Sequence, residues 1–226
     1  MTEELISEGK CLFCEAVFPQ KEIGKHLAKH LAEMQKADVK KSVASYCHIQ
    51  IEIGEMFLQI LAKSDTEMEE IGVFLRNIWL EFCGHMSGFD HKDFEIEMED
   101  LVETVFENRT KLSYDYDYGT TTSVFLKGLK KYSLFFKESI ILLSRNEPLN
   151  LMCATCNKEP AVFLCSTCYW KQYAFYCKKC STKHKKVCDD FADYSKMPVV
   201  NSPRMGQCGY EGGRIDKNRD GTYKSK

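Results

Sequence analysis

The chain has 226 residues, enough for one or two domains, and its 44% hydrophobic and 28% charged residues are ordinary for a globular protein. We find no run of about 18 apolar residues and no signal-peptide core, so the sequence predicts neither a transmembrane helix nor secretion. We therefore expect a cytoplasmic protein, in which the twelve cysteines are more suited to metal binding than to disulfides.

Four potential ligands stand at regular spacing near the start of the chain: Cys11, Cys14, His26 and His30. The cysteines have the spacing of a zinc knuckle, and two histidines four residues apart lie on one face of a helix. Phe18 and Ile23 stand where such a finger needs its small apolar core. The pattern is typical of a Cys2His2 finger, so we predict one zinc ion and a domain over residues 1–35.

Base reading by this finger is not expected. The helix positions that reach base edges in DNA-binding fingers would be Pro19, Glu22 and Lys25, and proline has no side-chain donor. One finger also covers only about 3 base pairs. The sequence therefore favours protein contact, or weak phosphate contact through Lys25 and Lys29.

After a connector at residues 36–42, hydrophobic periodicity predicts a mixed central domain over residues 43–150. We predict a strand over Ala44–Ile53 and a helix over Met68–Cys83, which Gly84 ends. Further strands are predicted at 112–118 and 123–129, with at least one more within 132–144. Cys47 and Cys83 lie in apolar surroundings and are predicted to be buried. The chain as a whole is predicted to be α+β, a compact central domain flanked by two small zinc modules.

Two motifs in the central domain resemble a known family. The helix and the segment after it read Phe74-Leu-Arg-Asn-Ile-Trp79-Leu-Glu-Phe-Cys-Gly-His85-Met-Ser-Gly-Phe89. The strand Tyr114-Asp115-Tyr116-Asp117-Tyr118-Gly119 is similar to a Tyr-x-Tyr-Asp-Phe-Gly signature. Together with Ile141–Pro148, these motifs resemble the plasmid pRiA4b ORF-3-like family over residues 43–150. The resemblance implies a small α+β fold and leaves the activity open.

A catalytic or metal cluster in this domain would have to use His85, His91, Asp115 and Asp117. On a strand, the two aspartates would share one face and the tyrosines the other. The alternative is a half-buried strand with solvated carboxylates and a capping histidine, and the spacing of the histidines favours it. No phosphate loop, nucleophile elbow or HExxH helix is present in the sequence.

Eight potential ligands occupy residues 153–188: Cys153, Cys156, Cys165, Cys168, Cys177, Cys180, His184 and Cys188. Zinc takes four such ligands tetrahedrally, so eight of them predict two closed sites and about three zinc ions per chain with the finger. Iron–sulfur ligation is the alternative, but the paired knuckles and the histidine favour zinc. Closed sites leave no position for a catalytic water, which argues against an enzyme.

The eight ligands can be divided in two ways. A tandem arrangement would use the first four for one ion and the last four for the other, whereas an interleaved arrangement would alternate the pairs. The pattern, with Tyr176 before the third pair, resembles the HIT-type and MYND-type zinc fingers and, more distantly, the B-box. Those families interleave, and they act mainly in protein interaction. The predicted module spans residues 151–190.

The C-terminal part is basic, with a net charge of +7 over residues 151–226 against −8 over residues 31–150. A short helix over 181–187 is predicted to place His184 and Cys188 inward. Five lysines would then lie outward, where they could bind phosphates or simply keep the helix solvated: Lys178, Lys179, Lys183, Lys185 and Lys186. Trp170, Tyr173 and Phe175 are predicted to form an exposed aromatic patch, or else to pack on the central domain.

The tail, residues 191–226, contains Gly and Pro, and its part 197–226 is predicted to lack regular structure. This partly apolar part could pack on the central domain, and mobility is expected after Gly213. The sequence therefore predicts a non-catalytic zinc protein that acts as a scaffold for protein partners. Nucleic-acid binding through the basic patch is the alternative, with weak and non-specific affinity expected. An enzyme with its site in the central domain is the weaker alternative.

Overall fold

The computed structural model describes residues 5, 7–37, 43–80, 83–107 and 110–223. The chain divides into two compact units. One unit, here called the sheet unit, comprises Ile6–Leu75 and His85–Asn146. The other, the cysteine-rich unit, comprises Met1–Leu5, Arg76–Gly84 and Glu147–Lys226. Helices and antiparallel sheets are both present, so the predicted α+β class is confirmed.

The sheet unit is built on six antiparallel strands in the order β5-β6-β7-β3-β4-β8. The strands are β3 (Ala44–Ile53), β4 (Met56–Lys63), β5 (Ser87–Asp90), β6 (Lys111–Tyr116), β7 (Thr122–Leu134) and β8 (Ile140–Arg145). The predicted strand Ala44–Ile53 is confirmed at both ends. Strand β7 is longer than predicted and β6 ends two residues earlier. Strand β4 was not predicted, because its nearly unbroken apolar run has no alternation to reveal it.

The N-terminal residues form a short hairpin and a long helix within the sheet unit. Strands β1 (Glu8–Lys10) and β2 (Val17–Pro19) pair antiparallel, and helix α1 (Gln20–Ala37) follows at once. Helix α1 buries Ile23, Leu27 and Leu31 in one apolar cluster with side chains of the sheet, such as Phe57 and Leu61. Residues 7–35 therefore share a hydrophobic core with the central strands.

Two further helices lie in or begin in the sheet unit, namely α2 (Met68–Leu75) and α3 (Val102–Val105). Helix α2 passes along the chain into a π-helical turn, Arg76–Leu80, which belongs to the cysteine-rich unit. The predicted helix over 68–83 is thus observed from Met68 to Leu80, and residues 81 and 82 lie outside the described residues. Cys83 is exposed, so its predicted burial is wrong, whereas the burial of Cys47 is confirmed.

The cysteine-rich unit contains a three-stranded antiparallel sheet in the order β10-β9-β11. Its elements are β9 (Phe163–Cys165), α4 (Ser166–Tyr169), β10 (Phe175–Tyr176), α5 (Lys178–His184), α6 (Asp189–Asp193), β11 (Lys196–Pro198) and a 3-10 turn (Lys217–Arg219). The predicted helix over 181–187 is observed as α5, which starts and ends three residues earlier.

Regular structure extends further into the C-terminal segment than predicted. Strand β11 pairs with β9 through Met197 opposite Leu164. Ser202, Arg204 and Tyr210 are buried, and the Ser202 hydroxyl donates to the Trp79 carbonyl at 2.6 Å. The segment after residue 190 is therefore part of the core of the cysteine-rich unit.

Candidate metal centres

The first ligand cluster lies where the β1–β2 hairpin meets helix α1. Cys11 and Cys14 come from the turn between the strands, and His26 and His30 lie on the helix. The sulfur of Cys14 lies 3.2 Å from Nε2 of His26, and Nε2 of His30 lies 3.1 Å from the same atom. All four candidate ligand atoms lie within 4.8 Å of one another.

The hairpin is held in this position by local contacts. The amide of Cys11 donates to the carbonyl of Ala16 at 2.9 Å, and Glu15 completes the turn with a positive φ of 62°. Phe18 stacks on the ring of His26, with 4.0 Å between the centroids, as the predicted small core requires. The predicted ligand residues and their aromatic support are thus brought together in one cluster.

The second cluster consists of cysteines alone and joins two distant parts of the cysteine-rich unit. Its members are Cys153, Cys156, Cys177 and Cys180. The sulfur atoms of Cys156 and Cys177 lie 4.0 Å apart. The amide of Cys180 donates to the sulfur of Cys177 at 3.4 Å, which fixes that thiol at the start of helix α5.

The third cluster lies between strand β9 and the turn after helix α5. Its members are Cys165, Cys168, His184 and Cys188. The sulfur of Cys188 lies 3.9 Å from those of Cys165 and Cys168, and Cys168 lies 3.7 Å from Nε2 of His184. Tyr176 stacks on His184 with 4.2 Å between the ring centroids, so this tyrosine orients a candidate ligand.

The grouping of the eight ligands is interleaved. The first and third cysteine pairs meet in one cluster, and the second pair meets His184 and Cys188 in the other. The amide of Ala154 donates to the carbonyl of Phe175 at 2.7 Å and thereby ties the first knuckle to strand β10. The sequence left tandem and interleaved arrangements open, and the geometry brings together only the interleaved sets.

The spacing of the donor atoms fits a tetrahedral ion. Zn–S bonds of about 2.3 Å and Zn–N bonds of about 2.0–2.1 Å place tetrahedral ligand atoms about 3.3–3.8 Å apart. The sulfur–sulfur distances of 3.9–4.0 Å and the sulfur–nitrogen distances of 3.2–3.7 Å match this scale. A disulfide would instead require about 2.05 Å between sulfurs. The three clusters could therefore each hold one metal ion.

The protonation of these groups reflects their crowding. Burial, followed by the hydrogen bonds and charge of the neighbouring thiols, raises the pKa of Cys168 and of Cys180 to about 12. At Cys153 burial also acts to raise the pKa, but backbone hydrogen bonds from Cys177 and Cys156 overcome it and lower the pKa to about 6. Burial lowers the pKa of His184, which favours the neutral imidazole that binds metals.

The four candidates of the central domain do not form one cluster. His91 stacks on Phe94, whereas Nδ1 of His85 lies 3.6 Å from the carboxylate of Asp117. Asp117 was predicted to be a solvated strand residue, and this is wrong. Strand β6 ends at Tyr116, and Asp117 has a left-handed backbone with a φ of 65°. It is buried, and its Oδ1 accepts from the amides of residues 119 and 120, so it shapes the turn.

Two other cysteines of the cysteine-rich unit lie close together and were missed by sequence reasoning. The sulfurs of Cys83 and Cys208 lie within 4.8 Å of each other, and both residues are exposed. Their separation of 125 positions in the sequence carries no spacing signal.

The aromatic patch predicted after Cys168 is partly formed. Trp170 is 69% exposed and Tyr173 is 50% exposed, but Phe175 is buried and packs with Leu164 and Met197. Phe175 is therefore a core residue, and the prediction of its exposure was wrong. The five lysines at 178–186 are all exposed, as predicted.

Comparisons with known proteins do not identify the chain. No family model matches the sequence, and no curated protein matches it. One solved structure is similar, "Crystal Structure of Protein of Unknown Function MM3350 from Methanosarcina mazei Go1", at 11% identity and a TM-score of 0.38. The match covers 46% of this chain and 68% of that chain. Within the described residues, no helix has both the length and the apolar character needed to cross a membrane.

Proposed function

We propose that this chain is a zinc protein with three structural ions. The observation that supports the proposal is the set of three clusters, each with four cysteine or histidine donors at tetrahedral spacing. Cys11, Cys14, His26 and His30 would hold one ion. The two interleaved sets would hold the others. Thiolate and imidazole donors select zinc over magnesium or calcium, which prefer oxygen.

We infer that the ions act in folding and not in catalysis. Four protein ligands complete the coordination of zinc, and a catalytic site keeps one position for water or substrate. Cys153 and Cys165 are buried, and Cys11 is also buried, so each site has at least one ligand that is shielded from solvent. The assignment of residues 43–150 to the pRiA4b ORF-3-like family stays a proposal beside this one.

The exposed aromatic residues of the cysteine-rich unit support a role as a protein-interaction scaffold. Tyr169, Trp170 and Tyr173 follow the second knuckle and are 40%, 69% and 50% exposed. Large aromatic side chains are enriched at protein interfaces, because they contribute large contact areas at small entropic cost. The zinc sites would hold this loop in place for a partner protein.

Metal analysis of purified protein tests the first part of the proposal, with about three zinc ions per chain expected. A ratio near zero in folded protein would refute it. The scaffold role is tested by capture from native lysate treated with nuclease, comparing the chain with its Trp170→Ala/Tyr173→Ala variant. We expect a partner that is retained after nuclease and lost in the variant, whereas capture that depends on nucleic acid would contradict the scaffold.

A second candidate function, weak nucleic-acid binding, is favoured by the lysines of the basic patch. All five are exposed, and none forms an ion pair with another described residue. Phosphate binding would make the affinity fall with salt, and each lysine removed would flatten the logarithmic slope by about one unit. We expect only non-specific affinity, with a Kd of roughly 10⁻⁴ to 10⁻⁶ M at physiological salt.

A further inference from the structure

The sheet unit has an open cavity of about 610 Å³ that none of the metal clusters uses. Its lining includes residues of strands β3, β6 and β7. The register places Lys111 opposite Lys127 and Ser113 opposite Phe125. Since alternate residues of a strand point to the same side, these four side chains share one face of the sheet.

Lys111 and Lys127 stand directly opposite each other at the cavity, and its two acids, Glu52 and Asp90, stand opposite the neighbouring residues Phe125 and Ser113. Directly opposite residues have Cβ atoms about 4.5–5.5 Å apart, and like charges in such a pair destabilise a sheet. Lys111 and Lys127 are exposed, and neither forms an ion pair with the residues that the structure describes. An anion bound between the two ammonium groups would remove this repulsion.

An aromatic ring lies beside the lysines. Phe125 is 60% exposed although it stands within a sheet, and it lines the same cavity. It is two residues from Lys127 on the same strand, which corresponds to about 6.6 Å along a β-strand. A planar ring could therefore stack on Phe125 while an attached anionic group reaches the lysines.

The third feature is an oriented carboxylate beside the ring. Glu52 stands opposite Phe125 in the neighbouring strand β3. Its Oε1 accepts a hydrogen bond from the side-chain amide of Gln20 at 3.0 Å and another from the side-chain amide of Gln50. A carboxylate held in this way repels phosphate but accepts hydrogen bonds from the N–H groups of a base. The base of a bound nucleotide would therefore lie near Glu52, and its phosphate would lie away from it.

The remaining charges at the cavity lie at the end of β5 and on the segment that follows it. Lys92 pairs with Asp93 at 3.9 Å, and Asp90 stands opposite Ser113 in the register. His91 stacks on Phe94 and accepts from the amide of Asp93. The two unpaired lysines are therefore the part of the cavity that is best suited to an anion.

We propose that this cavity binds a nucleotide unit. The phosphate lies between Lys111 and Lys127, the base stacks on Phe125, and Glu52 accepts a hydrogen bond from the base. Stacking on an aromatic side chain combined with cationic contacts to phosphate is the usual way in which proteins bind unpaired nucleotides. The unit is either a free nucleoside monophosphate or one nucleotide of a single strand.

Isothermal titration calorimetry on the full, zinc-loaded chain tests the site. The probes are AMP, GMP, CMP and UMP, the corresponding nucleosides, and inorganic phosphate. We expect at least one monophosphate to bind, with its nucleoside and phosphate alone each at least ten-fold weaker. The proposal fails if no monophosphate binds, or if phosphate alone binds as tightly as the nucleotide.

Variants of exposed residues assign the binding to the cavity. Lys111→Gln/Lys127→Gln is expected to weaken nucleotide binding at least ten-fold, and Phe125→Ala at least about five-fold. The matched control is Lys137→Gln/Lys158→Gln, which removes the same charge from exposed lysines outside both the cavity and the basic patch and should leave the affinity unchanged. Equal losses in the cavity pair and the control pair would overturn the proposal.

A single-stranded oligonucleotide distinguishes the two sources of the ligand. If the oligonucleotide binds much more tightly than the monophosphate, and this binding is lost in Lys111→Gln/Lys127→Gln, the ligand is a single strand. If its affinity is equal or lower, the ligand is a free nucleotide. Either result supports the site.

Lysine acetylation of the unmodified chain gives a test that needs no variant. Saturating nucleotide should protect Lys111 and Lys127 but not the exposed Lys137, and an absence of protection would refute the site.

Discussion

The three candidate metal clusters are embedded in two different kinds of core. In the sheet unit, the finger helix α1 buries Ile23, Leu27 and Leu31 against large side chains of the sheet. Only Cys11 among the four ligands belongs to that apolar cluster. The metal of the finger would therefore reinforce an arrangement that apolar packing also stabilises.

In the cysteine-rich unit, candidate ligands are themselves members of small apolar clusters. One cluster consists of Cys153, Cys177 and Cys180 with Cys156 packed against it. Another contains Cys165 beside Ala174, Tyr176 and Phe191. Here the ligand side chains occupy the positions that apolar residues fill in the sheet unit.

This difference indicates in which unit folding requires an ion and in which unit the ion adds stability to a core that is already packed. A structural zinc site contributes about 10–16 kcal/mol of apparent binding free energy, which exceeds the stability of most domains. Without an ion, the three or four thiols of each site stay crowded together, and burial opposes ionisation of Cys168 and Cys180. We therefore expect the cysteine-rich unit to depend on zinc much more strongly than the sheet unit.

The largest expected effect is the loss of the cysteine-rich unit on removal of one ligand. Cys177→Ser is expected to unfold residues 151–190 while the sheet unit stays folded, because a closed site with three ligands loses most of its affinity. Limited proteolysis and cysteine alkylation measure this directly. Because the clusters interleave, Cys153 and Cys156 should become reactive in the same variant.

Tyr194→Ser is the matched control, since Tyr194 lies in the same unit, is 72% exposed and belongs to none of the candidate metal clusters. It should leave proteolysis and zinc content unchanged. Damage confined to 177–188, with Cys153 and Cys156 still protected, would contradict the interleaved sites.

A core substitution in the finger helix is expected to have the next largest effect. Leu27→Ala removes a fully buried side chain from the cluster shared with the sheet and should reduce the free energy of unfolding of the sheet unit by about 2–5 kcal/mol. Denaturant unfolding measures this change. Leu12→Ala in the hairpin is the control, since Leu12 is 47% exposed and should cost little. Equal losses would show that α1 does not share the core.

The candidate metal ligands were the part of the molecule most accessible from sequence. Spacing alone brought Cys11, Cys14, His26 and His30 together, because the two pairs are local and a knuckle and a helix turn fix each one. The division of the other eight ligands could not be deduced in the same way. It depends on Phe175 pairing with Leu164 across β9 and β10, which is a tertiary choice.

The fold was predicted where periodicity is clean and missed where it is absent. Ala44–Ile53 alternates and was found, but β4 is buried on both sides and gives no such signal. Asp117 was assigned to a strand because the alternation of tyrosine and aspartate continues through it. Its left-handed backbone and its bonds to the turn amides end the strand there.

A buried histidine gives the sheet unit an acid sensitivity that does not depend on metal. His48 is buried in the sheet unit, its Nε2 lies 2.7 Å from Gln59, and burial lowers its pKa from 6.5 to about 4. The unfolded chain therefore binds a proton that the folded chain does not, and stability falls as the pH drops from 6.5 to 4. The loss is about 3 kcal/mol at most.

His48→Gln tests this expectation, because glutamine does not titrate and can still bond to Gln59. As the pH is lowered from 6.5 to 4, the unfolding free energy of the parent protein should fall relative to that of the variant. A difference that is constant over this range would show that His48 does not titrate with a depressed pKa.

The smallest expected effect is that of removing a ligand from the finger. Cys14→Ser should abolish binding of one zinc ion but lower the unfolding free energy of the sheet unit by less than about 2 kcal/mol, because local opening at a surface site costs less than global unfolding. Cys14 is exposed, and the buried residues of α1 stay packed without it. Hydrogen exchange should therefore rise at β1 and β2 while the amides of β3 and β7 stay protected. Exchange that rises equally in β3 would mean that the ion is as necessary here as in the cysteine-rich unit, and the contrast between the two cores would be lost.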